Sequence, residues 1–251
     1  MERREPTQKA LVLAGGGARG VAHIGAIEEL ESQGFEIGAV AGTSMGALVG
    51  GVYASGYLEP FKEWMCALDK YKVFSLVDFA LSTEGLVKGD RVMEAMKELV
   101  PDVEIEQMPV PFAAVAADLL TGSEVVLDSG GLYDAIRASI SIPSVFRPVH
   151  RDGRVLVDGG TVNPLPLNRV RREEGDLLVA VDVSAQFGAD PAHRANASLN
   201  YYKVLIASSQ IMQQRITQLM CRLYKPDIMV ELPADSYGMF EFYRSEEILE
   251  A

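Results

Sequence analysis

The first 54 residues carry one unit twice over: a short apolar run, a glycine-rich turn, then a stretch with helical spacing. Residues 9–14 (KALVLA) end in GGGARG, Gly15 to Gly20, and from His23 to Leu30 apolar residues recur at helical spacing before Gly34 closes the run. Residues 37–41 form a second apolar run, followed by GTSMG, Gly42 to Gly46, and by Ala47 to Ala54, whose small side chains let a helix approach a sheet closely. Strands that alternate with helices in this way pair in parallel and bury both faces of the sheet. The pattern therefore restricts the chain to an α/β architecture.

The rest of the chain continues the alternation. Residues 89–101 (GDRVMEAMKELVP) read as an amphipathic helix stopped by Pro101, and 132–140 as another. Strands are predicted at 112–117, 123–127, 155–157, 177–183 and 228–231, with a loop at 186–197 and a long helix at 199–223 that breaks at Pro226. Tyr57, Phe61, Trp64, Tyr71, Phe74 and Phe79 punctuate residues 57–81 among charges; they suit core packing, an apolar groove or contact with a bilayer. With 251 residues, 48% of them hydrophobic, and no linker-like stretch, the expectation is a flexible tail over 1–8 and one domain over 9–251. That domain is expected to have three layers, α/β/α, around a mostly parallel central sheet.

A net charge of −12 repels phosphate backbones and argues against a nucleic-acid binder. The segment MERREPTQK and the apolar run after it lack a cleavage site, so no signal peptide is expected. Residues 37–58 contain no charge and carry a glycine every fourth position from Gly38 to Gly50, but they hold six glycines and no strongly apolar block, which disfavours a membrane span. Cys66 and Cys221 lack ligand spacing and are expected as buried thiols; no metal site is read. The protein is expected in the cytoplasm, with peripheral membrane contact as an option.

Three segments could carry chemistry. GGGARG fits GxGxxG, yet a dinucleotide site wants an acid about 20 residues on, at the end of the second strand, where this chain has Val40, Ala41 and Gly42. The loop is then a plain tight turn or a row of backbone N–H groups able to receive an oxyanion. GTSMG is a GxSxG between strand and helix, the context of a nucleophile elbow: Ser44 would stand at the helix N-terminus and Met45 N–H would face the same point. The alternative is a structural serine in a glycine-rich turn. A serine nucleophile needs a base. His23 starts a helix, His150 lies in a polar turn, and His193 lies in the PAHRAN loop, where the order Ser, Asp, His would suit an α/β-hydrolase. Asp158 ends a strand and precedes Gly159 and Gly160; from DGG alone an ordinary Asp–Gly turn is the simpler reading.

In their order GGGARG, GTSMG and DGG, these blocks resemble the three signatures of the patatin-like phospholipase family. Residues 138–149 (ASISIPSVFRPV) resemble its serine- and proline-containing stretch before the aspartate, and 85–92 (GLVKGDRV) its bacterial branch; the ending FYRSEEILEA is also similar. The resemblance implies a patatin-like fold and a Ser–Asp dyad, with Ser44 as nucleophile and Asp158 as base. It also implies an oxyanion hole from Gly15, Gly16, Gly17 and Ala18 together with Met45, with Arg19 organising the loop and Gly20, Gly42, Gly46, Gly159 and Gly160 in support. It implies cleavage of the carboxylic esters of phospholipids, lysophospholipids or other acyl lipids through an acyl-Ser44, without cofactor or metal. An aspartate of ordinary pKa is a weak base at neutral pH, so Asp158 is expected to be desolvated. A lipid transacylase and a non-catalytic lipid-binding module are the rival readings, and head group, chain length and oligomeric state stay open.

Overall fold

The computed structural model describes residues 8–76, 89–186 and 200–251, with the backbone alone at Asp90, Tyr202 and Lys203. The strands are β1 (Lys9–Leu13), β2 (Ile37–Thr43), β3 (Phe112–Asp118), β4 (Ser123–Leu127), β5 (Val149–Arg151), β6 (Arg154–Asp158), β7 (Leu177–Ala185) and β8 (Ile228–Pro233). The helices are α1 (Ala22–Ser32), α2 (Met45–Ala54), α3 (Leu58–Cys66), α4 (Lys70–Leu76), α5 (Asp90–Lys97), α6 (Leu132–Ser139), α7 (Tyr201–Tyr224) and α8 (Ser245–Leu249). Every strand read from the sequence is present. Residues 57–81 contain α3 and α4 as far as residue 76. Phe79, the first half of GLVKGDRV, His193, most of the 186–197 loop and the expected tail apart from Gln8 lie outside the described residues.

The five strands β3, β2, β1, β7 and β8 lie side by side and parallel, as the alternating pattern requires. β4, β5 and β6 join antiparallel, so the sheet is mixed at one side. β1 shows why the sheet needs two covering layers. Leu11 and Leu13 enter one core with Ile24 and Ile27 of α1, Val49 and Val52 of α2, and Ile136 of α6. Ala10, Val12 and Ala14 point the other way, into a smaller core closed by Leu165, Leu167 and, from α7, Met220 and Cys221. The run 37–58 is thus β2 and α2, and among the described residues no helix is long and apolar enough to cross a membrane. Cys66 and Cys221 are both free thiols and only half-buried.

The edges of β3 position the site. β4 pairs with Ala114 through Asp118 along one edge. On the opposite edge β2 pairs with the first part of β3, ending with Thr43 opposite Val115. β6 then takes over that same edge, with Asp158 opposite Ala116. Since β2 runs parallel to β3 and β6 antiparallel, their C-terminal ends point at each other. The residues that leave those ends are Ser44 and Asp158.

Candidate active site

Ser44 sits between β2 and α2 with φ 56° and ψ −123°, a backbone state that a side chain rarely adopts. The flanking glycines make this turn possible. A Cβ on Gly42 would lie 2.3 Å from the Gly46 carbonyl oxygen, and one on Gly46 would lie 2.2 Å from that of Leu13. Ser44 is 6% exposed, and its N–H donates to Ser139 Oγ at 2.9 Å while that hydroxyl donates to the Val115 carbonyl at 2.6 Å. Thr43 donates to the Asn163 carbonyl at 2.8 Å, which fastens the end of β2 to the segment after Asp158. Ser139 and the Thr43–Asn163 tie were not singled out from the sequence. Ser139 does fall within ASISIPSVFRPV, but nothing local marks which of its serines turns inward.

Asp158 is held as firmly. Its N–H donates to the Ser141 carbonyl at 2.9 Å, and its Oδ1 accepts the Gly160 N–H at 2.7 Å. A Cβ on Gly159 would lie 2.2 Å from the Val115 carbonyl oxygen, so the turn presses directly on β3. Gly160 faces both Asp158 Oδ1 and Gln213 of α7. Burial pushes the Asp158 carboxyl up to about 6, opposed by the Ser44 hydroxyl and by the Gly160 N–H. Oδ2 is buried and has no hydrogen-bond partner among the described residues. The Ser44 hydroxyl therefore stands close enough to act on the carboxylate without closing a bond of ordinary geometry.

The glycine loop abuts this pair: a Cβ on Gly15 would sit 3.3 Å from Ser44 Cβ. Two of its N–H groups are already spent, which corrects the expectation that all of Gly15 to Ala18 point to the site. Gly15 N–H donates to the Pro164 carbonyl at 3.0 Å, and Ala18 N–H to that of Met239 at 2.9 Å. The N–H groups of Gly16, Gly17 and Met45 donate to no acceptor among the described residues. The loop is fixed at its two ends and unspent in its middle. Gly17 has φ 58°, and a Cβ there would also strike Met239, so this position needs glycine twice over.

Arg19, 2% exposed, ties the loop to the sheet: Nε donates to the Val183 carbonyl at 2.8 Å, one terminal nitrogen to that of Tyr237 at 3.0 Å, and the other to Ser184 Oγ at 3.2 Å. Ser184 Oγ in turn donates to the Gly15 carbonyl at 2.9 Å. Burial lowers the Arg19 pKa, and the charges of Asp182 and Asp235 oppose that. Gly20 lets this turn rest on α2, since a Cβ there would meet Met45 Cγ at 2.3 Å.

Neither of the two described histidines joins the pair. His23 is fully buried and its Nε2 donates to the Ala14 carbonyl at 2.8 Å; burial lowers its pKa to about 4, so it is a neutral fastener of the loop. His150 lies exposed on β5. Beside Ser44 opens a pocket of about 370 Å³, walled by Leu48, Phe61, Trp64, Met65, Val73 and Phe146 among others. No charged side chain lines it among the described residues. Phe61, Trp64 and Val73 come from the aromatic segment, so that segment serves core and pocket wall at once.

A strained serine, a buried carboxylate with one unpartnered oxygen and two unspent glycine N–H groups at one end of a mixed α/β sheet can be set beside known proteins. The chain is similar to an uncharacterized NTE family protein of Mycobacterium tuberculosis, 43% identical over 190 residues, which cover 76% of this chain and 52% of that one. It is 27% identical over 266 residues to patatin-like phospholipase domain-containing protein 7 of Rattus norvegicus, covering 96% of this chain and 20% of that protein. It thus spans about half the length of the mycobacterial relative. Among solved structures, VipD from Legionella pneumophila shares the fold with a TM-score of 0.50 at 14% identity, over 98% of this chain and 67% of that one. The family model for patatin-like phospholipase matches residues 11–170, from β1 past the Asp158 turn, and the chain belongs to that family.

Proposed function

We propose that this chain is a serine acyl hydrolase acting on the carboxylic esters of lipids, with Ser44 as nucleophile and Asp158 as its base. The observation that carries the reading is the convergence of β2 and β6 on one edge of β3, which brings the Ser44 hydroxyl to a carboxylate whose Oδ2 is buried and unpartnered. A carboxyl with a pKa of about 6 can accept a proton near neutrality and return it, so no histidine is needed.

In this reading Ser44 Oγ attacks the ester carbonyl carbon while its proton passes to Asp158 Oδ2. The carbonyl oxygen becomes the oxyanion, received by the N–H groups of Gly16 and Gly17 and by Met45 N–H at the positive end of α2. Collapse breaks the bond to the leaving alcohol, which takes the proton from Asp158 and leaves an acyl-Ser44. Water then attacks, gives its proton to Asp158, and the fatty acid leaves as Ser44 Oγ is reprotonated. Substrate class follows from the pocket: its wall is almost wholly apolar, which suits the acyl chain of a lipid ester.

The test is labelling with a long-chain fluorophosphonate, followed by peptide mapping. A single adduct on Ser44, absent after Ser44→Ala and slowed after Asp158→Asn, is expected. No adduct on folded protein would overturn the hydrolase reading, and ester transfer to an added alcohol in preference to water would make the protein a transacylase.

A further inference from the structure

The C-terminal ends of β1, β2, β3 and β7 form one rim of the sheet, because these strands are parallel. Ser44 and the glycine loop lie on this rim, and two apolar features rise beyond it. The first is the tip of the β3–β4 hairpin. β3 continues three residues past Val115, the partner of Thr43, which carries the tip about 10 Å beyond the end of β2. Leu119 and Leu120 at this tip are 59% and 67% exposed.

The second is the N-terminal half of α7. Gln214 donates to the carbonyls of Ser184 and Ala185, at the end of β7, while Asp227, just after the helix, bonds back to Leu178 near its start. α7 therefore runs antiparallel to β7, and residues 201–212 extend about 18 Å past the rim. Val204, Leu205, Ile211 and Met212 in this stretch are exposed and fall on one third of the helix circumference, together with Tyr201, which is 86% exposed. The prong starts beside the site, since Gln213 lies against Gly160. Phe240, half exposed, adds an apolar edge to the pocket that Ser44 lines.

Charge identifies what covers these prongs. The chain carries 35 acids against 23 bases, yet the 24 residues of α7 contain no acid. Arg215 and Arg222, with the exposed Leu219 and Leu223 beside them, continue the stripe on the sheet side of the apolar tip. A second copy paired through this same stripe would bring arginines together, and the helix holds no acid to offset them. An anionic lipid surface supplies the complement, hydrocarbon for the tip and negative head groups for the cations set back from it. We propose that this rim docks on anionic lipid bilayers, with Leu119–Leu120 and the N-terminal half of α7 as the two inserted prongs flanking Ser44. The proposal deepens the lipid-ester reading by giving the route from a bilayer to the pocket.

The test uses protein carrying Ser44→Ala, so that vesicles stay intact, sedimented with vesicles of phosphatidylcholine alone or mixed with phosphatidylglycerol. Binding to the mixed vesicles, weaker to the neutral ones, is expected. Leu119→Ser with Leu120→Ser, or Leu205→Ser with Met212→Ser, should each lower the partition coefficient about tenfold or more, given the apolar surface withdrawn from lipid. Equal binding by the wild type and both variants, or no binding by the wild type, overturns the proposal; so does a lipid-free dimer that Met212→Ser dissolves. With Ser44 restored, both double variants should turn over a short-chain dissolved ester at the wild-type rate and a vesicle-borne ester more slowly. Docking without any ester cleavage would leave this face standing and remove the proposed function; cleavage of dissolved ester without docking would do the reverse.

Discussion

Asp158→Asn should make the protein inactive and more stable at the same time. In the folded chain burial holds the carboxyl at about 6, against about 3.9 in an unfolded chain. Between those two values the folded protein keeps a proton that the unfolded chain has lost. Asp158 therefore costs nothing below about pH 4, and stability drops as the pH rises through the window up to about 6. Above it the cost is level at about 3 kcal/mol, from roughly two pH units at about 1.4 kcal/mol each. Asparagine removes the charge and keeps the Oδ1 that accepts the Gly160 N–H. Its new N–H group lies where Oδ2 had no partner and needs the Ser44 hydroxyl as acceptor, so 3 kcal/mol is a ceiling. Asp182, also raised to about 6 by burial, shifts stability with the same sign but is present in both proteins, so the difference isolates Asp158. Denaturant unfolding of both proteins at about pH 7.5, 5 and 4 is the assay. A gain of about 2–3 kcal/mol at the highest pH should shrink to about half at pH 5 and below 1 kcal/mol at pH 4. A variant less stable than the wild type at pH 7.5, or a gain that does not change with pH, would refute the claim that Asp158 is a desolvated, unpaired carboxylate.

The same carboxyl sets the pH profile of the reaction: kcat/KM on a dissolved ester should rise about tenfold per pH unit below pH 6 and level off above it, and a flat profile from pH 5 to 8 would remove Asp158 as the base. Ser139→Ala leaves the buried Ser44 N–H without its acceptor, so stability should fall by about 1–3 kcal/mol and kcat by about tenfold or more with KM little changed, and Ser139→Thr should recover much of both. Arg19→Ala removes three hydrogen bonds that hold the glycine loop to β7 and to Tyr237, and should lower kcat at least tenfold. Lysine should not rescue it, because one ammonium cannot reach the three acceptors in the guanidinium's fork; wild-type turnover in either variant would show that the loop holds itself.

What the sequence made legible was local. The strand–turn–helix units placed β1, β2, α1 and α2, and GTSMG placed Ser44 in a turn whose glycines are explained by contacts of 2.2–2.3 Å. The hairpin of β5 and β6 was legible too, though only its second strand was read. Asp152 and Gly153 both have positive φ, the two-residue turn that an Asp–Gly pair signals, and recognising it would have supplied β5. Ser139 and Asn163 were not legible, because each matters only through a partner elsewhere in the chain, at Ser44 and Thr43.

The glycine loop shows where a motif stops being informative. GGGARG presents a run of backbone donors, and nothing in the string says which of them folding will consume. The acceptors that decide are Pro164 and Met239, which follow the Asp158 turn and β8 respectively, so the choice depends on elements folded long after the loop in chain order. In the proposed mechanism, consuming the outer two is also what makes the inner two useful. A loop with every N–H unspent would have no fixed position, and moving it as charge develops would cost the reorganisation that a preorganised site avoids. Anchored through Gly15 and Ala18 and clamped by Arg19, the loop holds Gly16 and Gly17 at a set place before any substrate arrives. In the proposed reaction, the loss of two expected donors is what fixes the remaining pair.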